Sequence, residues 1–249
     1  MNKIFKKIQT IKEQRGAVSF ALIDPDKKNN NFIEQYIEKV NMSDFDVILV
    51  GGSLIIDNFY EERISLIKSH TDKPIILFPG SSMQITDKVD AMLYISLLSG
   101  NNPQYLIGEH IQTAGLIYNL NIETISTGYI LIDGGKSSSV AAISKTIPLP
   151  SKKYDIITAH ALAGQYLGMN MIYLETGSGA KNTVEPNLIK YMKEKLKIPF
   201  IVGGGIDNIE KTKQLIDAGA EYLVIGSAIE NNNNINKLIE INQEIHGKS

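Results

Sequence analysis

Short apolar runs recur along the chain at intervals of about 20 to 45 residues, with helical patterns between them. Most of these runs are continuously apolar and rich in β-branched residues. This pattern is typical of parallel strands that helices cover on both faces. Eight runs are therefore predicted to be strands: AVSFALI (17–23), DVILV (46–50), PIILF (74–78), AMLYIS (91–96), TISTGYILI (124–132), MIYLE (171–175), PFIV (199–202) and YLVIG (222–226).

The segments between these runs carry apolar residues at helical spacing and charged residues on the opposite face. Alternating strands and helices predict an α/β fold, and eight such units match a TIM (β/α)8 barrel. An open doubly wound sheet uses the same units, but the eighth run, which ends in Gly226, favours closure. Helices are predicted over residues 32–40, 60–69, 104–119, 186–195, 209–218 and 235–245, and a small-residue helix around His160 precedes the sixth strand.

One long segment interrupts this alternation. Residues 133–153 contain two adjacent glycines, three consecutive serines and two prolines. Irregular stretches of this length in compact domains are usually functional, so we expect an excursion from the top of the barrel rather than a linker. Residues 1–249 are accordingly expected to form a single domain. The polar run 231–234 is expected to be a solvated turn before the last helix.

The net charge of the 249-residue chain is −2 at pH 7, and 43% of its residues are hydrophobic. A small-molecule partner is expected and nucleic acid is not, because no excess of lysine and arginine is available to neutralise phosphates. The absence of cysteine excludes disulfides and thiolate metal sites and suits a reducing cytoplasm. The start, MNKIFKKIQT, lacks the apolar core of a signal peptide, and no apolar run reaches the ~20 residues that cross a bilayer.

The first predicted strand runs into IDPDKK, which places two carboxylates close together. Asp24 and Asp26 flank Pro25, and Lys27 follows them. Oxygen ligands on a rigid turn suit Mg²⁺, which usually keeps several waters and bridges a protein carboxylate to substrate phosphates. The alternative is an Asx turn that leads into a helix, with Lys28 in solvent.

Small residues follow the second and third predicted strands. Gly51 and Gly52 permit close approach to the backbone, Ser53 adds a hydroxyl, and residues 79–82 offer a similar set. A tight turn with a serine at the N-cap of the next helix has the same sequence. Taken alone, these two endings favour the turn.

The endings of the seventh and eighth strands together predict a phosphate site. Gly203, Gly204 and Gly205 leave backbone N–H groups unobstructed, and the N-terminus of the next helix adds its dipole. Gly226 and Ser227 supply a second set one strand later. Barrels of this type frequently bind phosphate with the loops after these two strands.

The sixth strand ends in a polar turn, residues 173–179. Tyr173 and Glu175 are two positions apart, so both point to the same side of the strand. If that side is the barrel interior, the carboxylate can accept a hydroxyl proton or bind a polyol; the alternative is a residue that caps the next segment. No histidine-based catalysis is predicted, since no second histidine or carboxylate stands at ligand spacing from any of the four histidines, His70, His110, His160 and His246.

These motifs together resemble the geranylgeranylglyceryl phosphate synthase family, whose bacterial relatives include heptaprenylglyceryl phosphate synthase. The resemblance covers nearly the whole chain, and the sixth-strand motif with the GGKSSS segment is more specific than any glycine pair. The long segment resembles the longer, group II-like subgroup of some archaea and Bacteroidetes-type bacteria. The motifs are LIDPDK (22–27), VGGS (50–53), LFPGS (77–81), SLLSGNNPQYLIGEH (96–110), TGYILIDGGKSSSV (127–140), AHALAGQYLGM (159–169), YLETGSG (173–179), VGGGI (202–206) and GSA (226–228).

The resemblance implies a TIM-barrel prenyltransferase that joins the C3 hydroxyl of sn-glycerol 1-phosphate to a polyprenyl diphosphate, with geranylgeranyl diphosphate as the expected donor. The ether product belongs to phospholipid biosynthesis, and diphosphate is released. Mg²⁺ is expected at Asp24 and Ser53, and Glu175 is expected to engage the glycerol hydroxyl with Tyr173 beside it. A homodimer or larger homo-oligomer is also implied, with a prenyl groove that opens toward a membrane. The implied glycerol phosphate site comprises Tyr173, Leu174, Glu175, Thr176, Gly177, Ser178, Gly179, Gly204, Gly205, Gly226 and Ser227.

Three positions depart from the family pattern. Thr176 replaces a commoner alanine, Ser227 replaces a commoner asparagine, and Asp207 stands where an arginine is frequent. The last change predicts a loop that holds phosphate by backbone amides with less side-chain charge. Two other functions use the same phosphate loops: a sugar-phosphate isomerase or aldolase, and a catalytically silent phosphate-binding barrel. The former gives no reason for the paired aspartates, and intact Asp24 and Glu175 disfavour the latter.

Overall fold

Eight parallel strands close into a barrel in the order β1 to β8, and helices cover its outside. The computed structural model describes residues 3–55, 57–231 and 234–247. β8 pairs with β1, with Tyr222 opposite Val18, so the sheet has no edge. This closure confirms the TIM-barrel prediction over the open sheet. The strands are β1 (Val18–Ile23), β2 (Val47–Val50), β3 (Ile75–Leu77), β4 (Ala91–Leu97), β5 (Glu123–Leu131), β6 (Met171–Glu175), β7 (Phe200–Gly203) and β8 (Tyr222–Ile225).

All seven predicted helices are present in the described residues. The helix predicted over 104–119 begins as a π-helical turn, Gln104–Gly108, before α4. The sequence did not predict α1, α5 or α9, and residues 232 and 233 of the expected polar turn lie outside the described part of the chain. The helices are α1 (Lys3–Arg15), α2 (Ile33–Met42), α3 (Tyr60–Ser69), α4 (Glu109–Leu120), α5 (Ser139–Ser144), α6 (Tyr154–Tyr166), α7 (Pro186–Lys193), α8 (Ile209–Asp217), α9 (Ser227–Asn231) and α10 (Ile235–His246).

Two apolar clusters form the core. One lies between the sheet and the helices and includes Ile48 and Leu174. The other fills the barrel interior and includes Phe20, Tyr173 and Ile201. Because successive strand residues face opposite sides, Leu174 points toward the helices while its neighbours in β6 point inward.

Helix α1 closes the amino-terminal end of the barrel. Phe5 and Ile8 are buried in the interior cluster. The Glu123 carboxylate, at the start of β5, accepts hydrogen bonds from the N–H groups of Ile4 and Phe5 at 3.0 and 2.9 Å. It thereby satisfies free donors at the N-terminus of α1 and complements the helix dipole. A ligand site is therefore expected at the opposite end of the barrel, at the carboxyl ends of the strands.

Candidate active site

A cavity of about 600 Å³ lies at the carboxyl ends of the strands. Polar groups from the loops after β6, β7, β8, β1 and β2 form one part of its lining, and apolar and aromatic side chains from β4, β5, α5 and the loop after β3 form most of the other. A substrate with one polar and one apolar portion matches this division. The cavity brings together most of the predicted site residues: Asp24, Ser53, Glu175, Gly177, Ser178, Gly204, Gly205, Gly226 and Ser227.

Glu175 is the last residue of β6, and only 6% of its surface is exposed. Its Oε1 accepts a hydrogen bond of 2.6 Å from the N–H of Gly177. Burial raises the pKa of Glu175 to about 7, although this N–H group and the nearby Tyr173 hydroxyl favour the charged form and act in the opposite direction. A carboxylate that changes charge near neutral pH is well suited to act as a general base.

Tyr173 lies two residues before Glu175 and is fully buried in the barrel interior. Its hydroxyl forms no hydrogen bond of normal geometry with any described residue, and burial holds its pKa well above the usual value. Its ring packs against Phe78 and Tyr129, with centroids 5.2 and 5.3 Å away. Glu175 therefore stands next to an aromatic cluster whose Tyr173 hydroxyl is neutral and close to the carboxylate.

The loop after β7 exposes backbone amides to the cavity. Gly204 and Gly205 adopt φ values of +88° and +68°, a conformation that strongly favours glycine. A Cβ at Gly204 would lie 2.5 Å from Oε1 of Glu175 and closer still to Oγ1 of Thr176. Within the described residues, nothing accepts a hydrogen bond from the N–H of Gly204, Gly205 or Gly226. Unpaired amides in residues that line one cavity suit an anion such as a phosphate.

The long segment 133–153 forms part of the cavity wall. The O atom of Gly134 accepts hydrogen bonds of 3.1 Å from the N–H groups of both Lys181 and Asn182. Ser138 packs closely on Gly177: a Cβ added to Gly177 would lie 2.8 Å from the Cβ of Ser138. Helix α5 then lines the cavity with Val140 and other residues. The segment is thus anchored on the β6 turn of the same barrel.

Asp24 has the chemistry of a metal ligand. Its Oδ1 is buried without a hydrogen-bond partner in the described part of the chain, and its Oδ2 lies 3.2 Å from Nζ of Lys28. Burial raises the pKa of Asp24, while the Lys28 charge acts in the opposite direction. Ser53 lines the same cavity. An orphaned carboxylate oxygen and a hydroxyl fit Mg²⁺, which takes few protein ligands when substrate phosphates supply the rest.

No group of three or more His, Asp or Glu side chains is arranged to hold a metal in residues 3–55, 57–231 and 234–247. The fit to Mg²⁺ therefore depends on oxygens from the substrate. A metal bound without substrate would have few protein ligands and weak affinity.

Two supporting residues were missed by the sequence reasoning. Nε2 of Gln84 donates to the O atom of Gly52 at 2.7 Å, and its Oε1 accepts from the N–H groups of Gly52 and Gly80 at 3.4 and 3.3 Å. Arg63 forms two 2.7 Å bonds to Asp57 and donates to the O atom of Pro25 at 3.3 Å. The two side chains fix the loops after β1, β2 and β3. No sequence signal identifies them, because their partners are fixed only by the fold.

Some predicted residues lie outside the cavity lining. The Leu174 side chain packs in the outer core, so only its backbone can reach a ligand at this end of β6. Oγ1 of Thr176 donates to the O atom of Gly203 at 3.4 Å. Asp207 pairs with Lys211 at 3.0 Å, and the same ammonium donates to the O atom of Gly205 at 2.9 Å. The charge of Asp207 is therefore paired with a lysine in the first turn of α8.

His110 lines the cavity, which the sequence did not indicate. Its ring meets Tyr94 edge-on at 4.3 Å, and its Nε2 lies 3.3 Å from Oγ of Ser96. Burial lowers its pKa, so the ring is neutral at pH 7 and belongs with the apolar part of the lining.

The fold and the site define a (β/α)8 barrel of the enzymatic type, with its polar groups gathered at the carboxyl ends of the strands. The chain belongs to the PcrB family, whose sequence pattern matches residues 9–244. A protein of Chitinophaga pinensis named geranylgeranylglyceryl phosphate synthase is 42% identical over 230 residues, which make up 92% of this chain and 91% of that protein. A protein of the same name from Zunongwangia profunda is 45% identical over 210 residues, 84% and 89% of the two chains.

Among solved structures, the (S)-3-O-geranylgeranylglyceryl phosphate synthase of Thermoplasma acidophilum, in complex with sn-glycerol-1-phosphate, superposes with a TM-score of 0.93. It is 35% identical, and the match covers 99% of this chain and 100% of that one. The resemblance inferred from the sequence is confirmed at the level of the family. Across the described residues, no helix has the length and apolar character to span a membrane.

Proposed function

We propose that the chain is a prenyltransferase of the geranylgeranylglyceryl phosphate synthase type. It joins the C3 hydroxyl of sn-glycerol 1-phosphate to C1 of a polyprenyl diphosphate, preferably geranylgeranyl diphosphate, in ether phospholipid biosynthesis. One observation carries the proposal: Glu175, with a pKa of about 7, stands between unpaired backbone amides and an aromatic cluster in one cavity. The named relatives and the bound ligand of the Thermoplasma structure support the choice of substrate.

The geometry supports a role for each part of the cavity. The amides of Gly204, Gly205 and Gly226 bind the glycerol phosphate, so its C3 hydroxyl lies near Glu175. As the C3 oxygen forms its bond to C1 of the prenyl group, the bond from C1 to the diphosphate oxygen breaks and Glu175 takes the hydroxyl proton. The aromatic rings of Phe78 and Tyr129, which line the cavity, favour the positive charge that develops on the allylic carbons.

The loop after β1 is proposed to receive the diphosphate. Asp24 and Ser53 would hold Mg²⁺, which supplies positive charge that stabilises the departing diphosphate. Lys28 is the one lysine in the described cavity lining, and it pairs with Asp24. This ion pair occupies the carboxylate, so Lys28 would compete with Mg²⁺ for Asp24.

The alternative barrel functions lack support from the site. An aldolase that works through a Schiff base needs a lysine whose pKa is lowered by burial, whereas the pKa of Lys28 is raised overall because the opposing charges of Asp24 and Glu230 outweigh its partial burial. A silent phosphate-binding barrel has no use for the orphaned Oδ1 of Asp24.

The direct test is a product analysis. The protein is incubated with sn-glycerol 1-phosphate, Mg²⁺ and prenyl diphosphates of graded chain length, and the products are identified by mass spectrometry. We expect an ether of the phosphate and the prenyl chain together with one equivalent of diphosphate. The enantiomer, sn-glycerol 3-phosphate, is the control and should react far more slowly. Absence of any ether with every chain length would contradict the proposal.

Asp24 and Lys28 should have opposite effects on Mg²⁺ binding. Thermal unfolding is followed at increasing Mg²⁺ in the presence of inorganic diphosphate, because a ligand of the folded state raises the unfolding temperature. Asp24→Asn should abolish the Mg²⁺-dependent rise. Lys28→Met should bring the rise to about fivefold lower Mg²⁺, which corresponds to the ~1 kcal/mol expected of a partly exposed ion pair that no longer competes.

The matched control is Asp87→Asn, at an exposed aspartate outside the cavity, which should respond like the unsubstituted protein. An Asp24→Asn protein that still responds to Mg²⁺ would remove Asp24 from the metal site. A Lys28→Met protein that needs more Mg²⁺ would show that the lysine assists the metal rather than competing with it.

A further inference from the structure

Exposed aliphatic side chains stand around the apolar part of the cavity mouth. Leu54 and Ile143 line the cavity yet expose 63% and 37% of their surfaces. Met83, next to the lining residue Ser82, is 80% exposed, and Ile147 is 86% exposed. They lie in the segments after β2, β3 and β5, so they share the end of the barrel at which the cavity opens. Several large exposed apolar side chains at one end of a molecule indicate an interaction surface.

The same part of the rim is basic. Residues 133–153 contain four lysines and a single aspartate, a net charge of +3 in a chain whose total is −2. Lys145 and Lys153 are exposed, and no ion pair to either is found among the described residues. Positive charge interspersed with exposed aliphatic residues is the composition that binds anionic lipid surfaces.

We propose that this surface, made of Leu54, Met83, Ile143, Lys145, Ile147 and Lys153 and called here the docking rim, binds the surface of an anionic lipid bilayer. The inference rests in part on the proposed function, because a prenyl donor and its ether product both reside in membranes. Docking would place the mouth of the apolar cavity directly against the bilayer. The prenyl chain then passes between membrane and cavity without crossing water, whose contact with the chain is unfavourable.

Charge also favours a bilayer over a second copy of this chain. In a two-fold symmetric contact each rim would meet its own lysines, and like charges facing each other oppose association. An anionic lipid surface presents the opposite charge, and its attraction falls with salt.

Vesicle binding without any substrate tests the proposal. The full chain is sedimented with phosphatidylglycerol-containing vesicles and with neutral phosphatidylcholine vesicles, at low and high salt. We expect binding to the anionic vesicles that weakens as salt rises. Ile147→Asp should reduce it at least tenfold, and Lys145→Asn about fivefold; asparagine suits the φ of +56° at this position.

Matched controls lie at the opposite end of the barrel. Leu167 follows the last residue of α6 and is 75% exposed, and Lys197 lies just before β7. The variants Leu167→Asp and Lys197→Gln should bind vesicles like the unsubstituted protein. Equal losses of vesicle binding in the rim variants and their controls would overturn the proposal. Equal binding to anionic and neutral vesicles would also overturn it. A change in oligomeric state with Ile147→Asp, with vesicle binding intact, would assign the rim to a second copy instead.

The outcome is separable from that of the proposed function. Ether formation with detergent-dispersed prenyl diphosphate does not need a bilayer, so Ile147→Asp should keep its rate in detergent and lose rate when the donor is supplied in anionic vesicles. An equal loss in both assays would contradict docking. Failure of the unsubstituted protein to form any ether would contradict the enzyme assignment and leave the vesicle-binding result standing.

Discussion

Replacing Glu175 with glutamine is expected to lower kcat by about 10²- to 10⁴-fold, the usual contribution of a general base. Glutamine keeps the shape of the side chain and can still accept the N–H of Gly177, which is bonded at 2.6 Å in the unsubstituted protein, but it cannot take a proton. KM for glycerol phosphate should change much less than kcat, because the phosphate is proposed to bind through the amides of Gly204, Gly205 and Gly226. Steady-state kinetics with both substrates varied measures the two constants separately.

The pH profile gives a sharper signature of the same residue. The base must be ionised, and its pKa is about 7, so the rate should rise with pH through this value and level off above it. In Glu175→Gln the inflection should vanish along with most of the rate. Glu221→Gln, a surface glutamate at the opposite end of the barrel, is the matched control and should retain both. A residual rate in Glu175→Gln within a factor of a few of the unsubstituted protein would exclude the base assignment.

Gly204→Ala is expected to reduce kcat/KM for glycerol phosphate by roughly 100-fold, since hydrogen bonds to a charged group contribute about 1.5–3 kcal/mol each. The added methyl group would collide with Oε1 of Glu175 and Oγ1 of Thr176. Moreover, its φ of +88° costs a residue with a Cβ about 1–2 kcal/mol. The loop must shift, and the amides that face the phosphate shift with it. Kinetics at varied glycerol phosphate and the temperature of thermal unfolding are the measurements.

Gly115→Ala provides the matched control for this substitution. Gly115 lies inside α4 with no atom within 4 Å of the added Cβ, so alanine should raise stability by about 0.5–1 kcal/mol and leave kinetics unchanged. A Gly204→Ala protein that kept its affinity for glycerol phosphate would show that the loop after β7 is not the phosphate site.

The barrel was predictable because each strand is covered on both faces. Continuous apolar runs marked all eight strands to within one or two residues, whereas the ends of helices depend on caps and contacts. Helix α1 was missed because its sequence is mostly polar, and its stability depends on Glu123 and on packing beneath the barrel. Helix α5 was missed because glycine and serine dominate its surroundings and its position depends on contacts with the β6 turn.

The parts of the candidate site that depend on local backbone structure were predictable from the sequence. Glycine runs at strand ends and the inward pair Tyr173 and Glu175 follow from local sequence and the period of a strand. The raised pKa of Glu175, the orphaned Oδ1 of Asp24 and the role of Gln84 could not be read in this way. Each depends on burial or on partners that only the closed barrel brings together.

Helix α1 has a kinetic consequence for the proposed reaction. With Phe5 and Ile8 packed into the amino-terminal end of the barrel, the reactants reach the cavity from the carboxyl ends of the strands. Both substrates enter and both products leave at this end, so the products must leave before the next substrates can bind. A long ether product that lingers in the apolar part would block the next donor, and accumulated product should therefore inhibit competitively against the prenyl diphosphate.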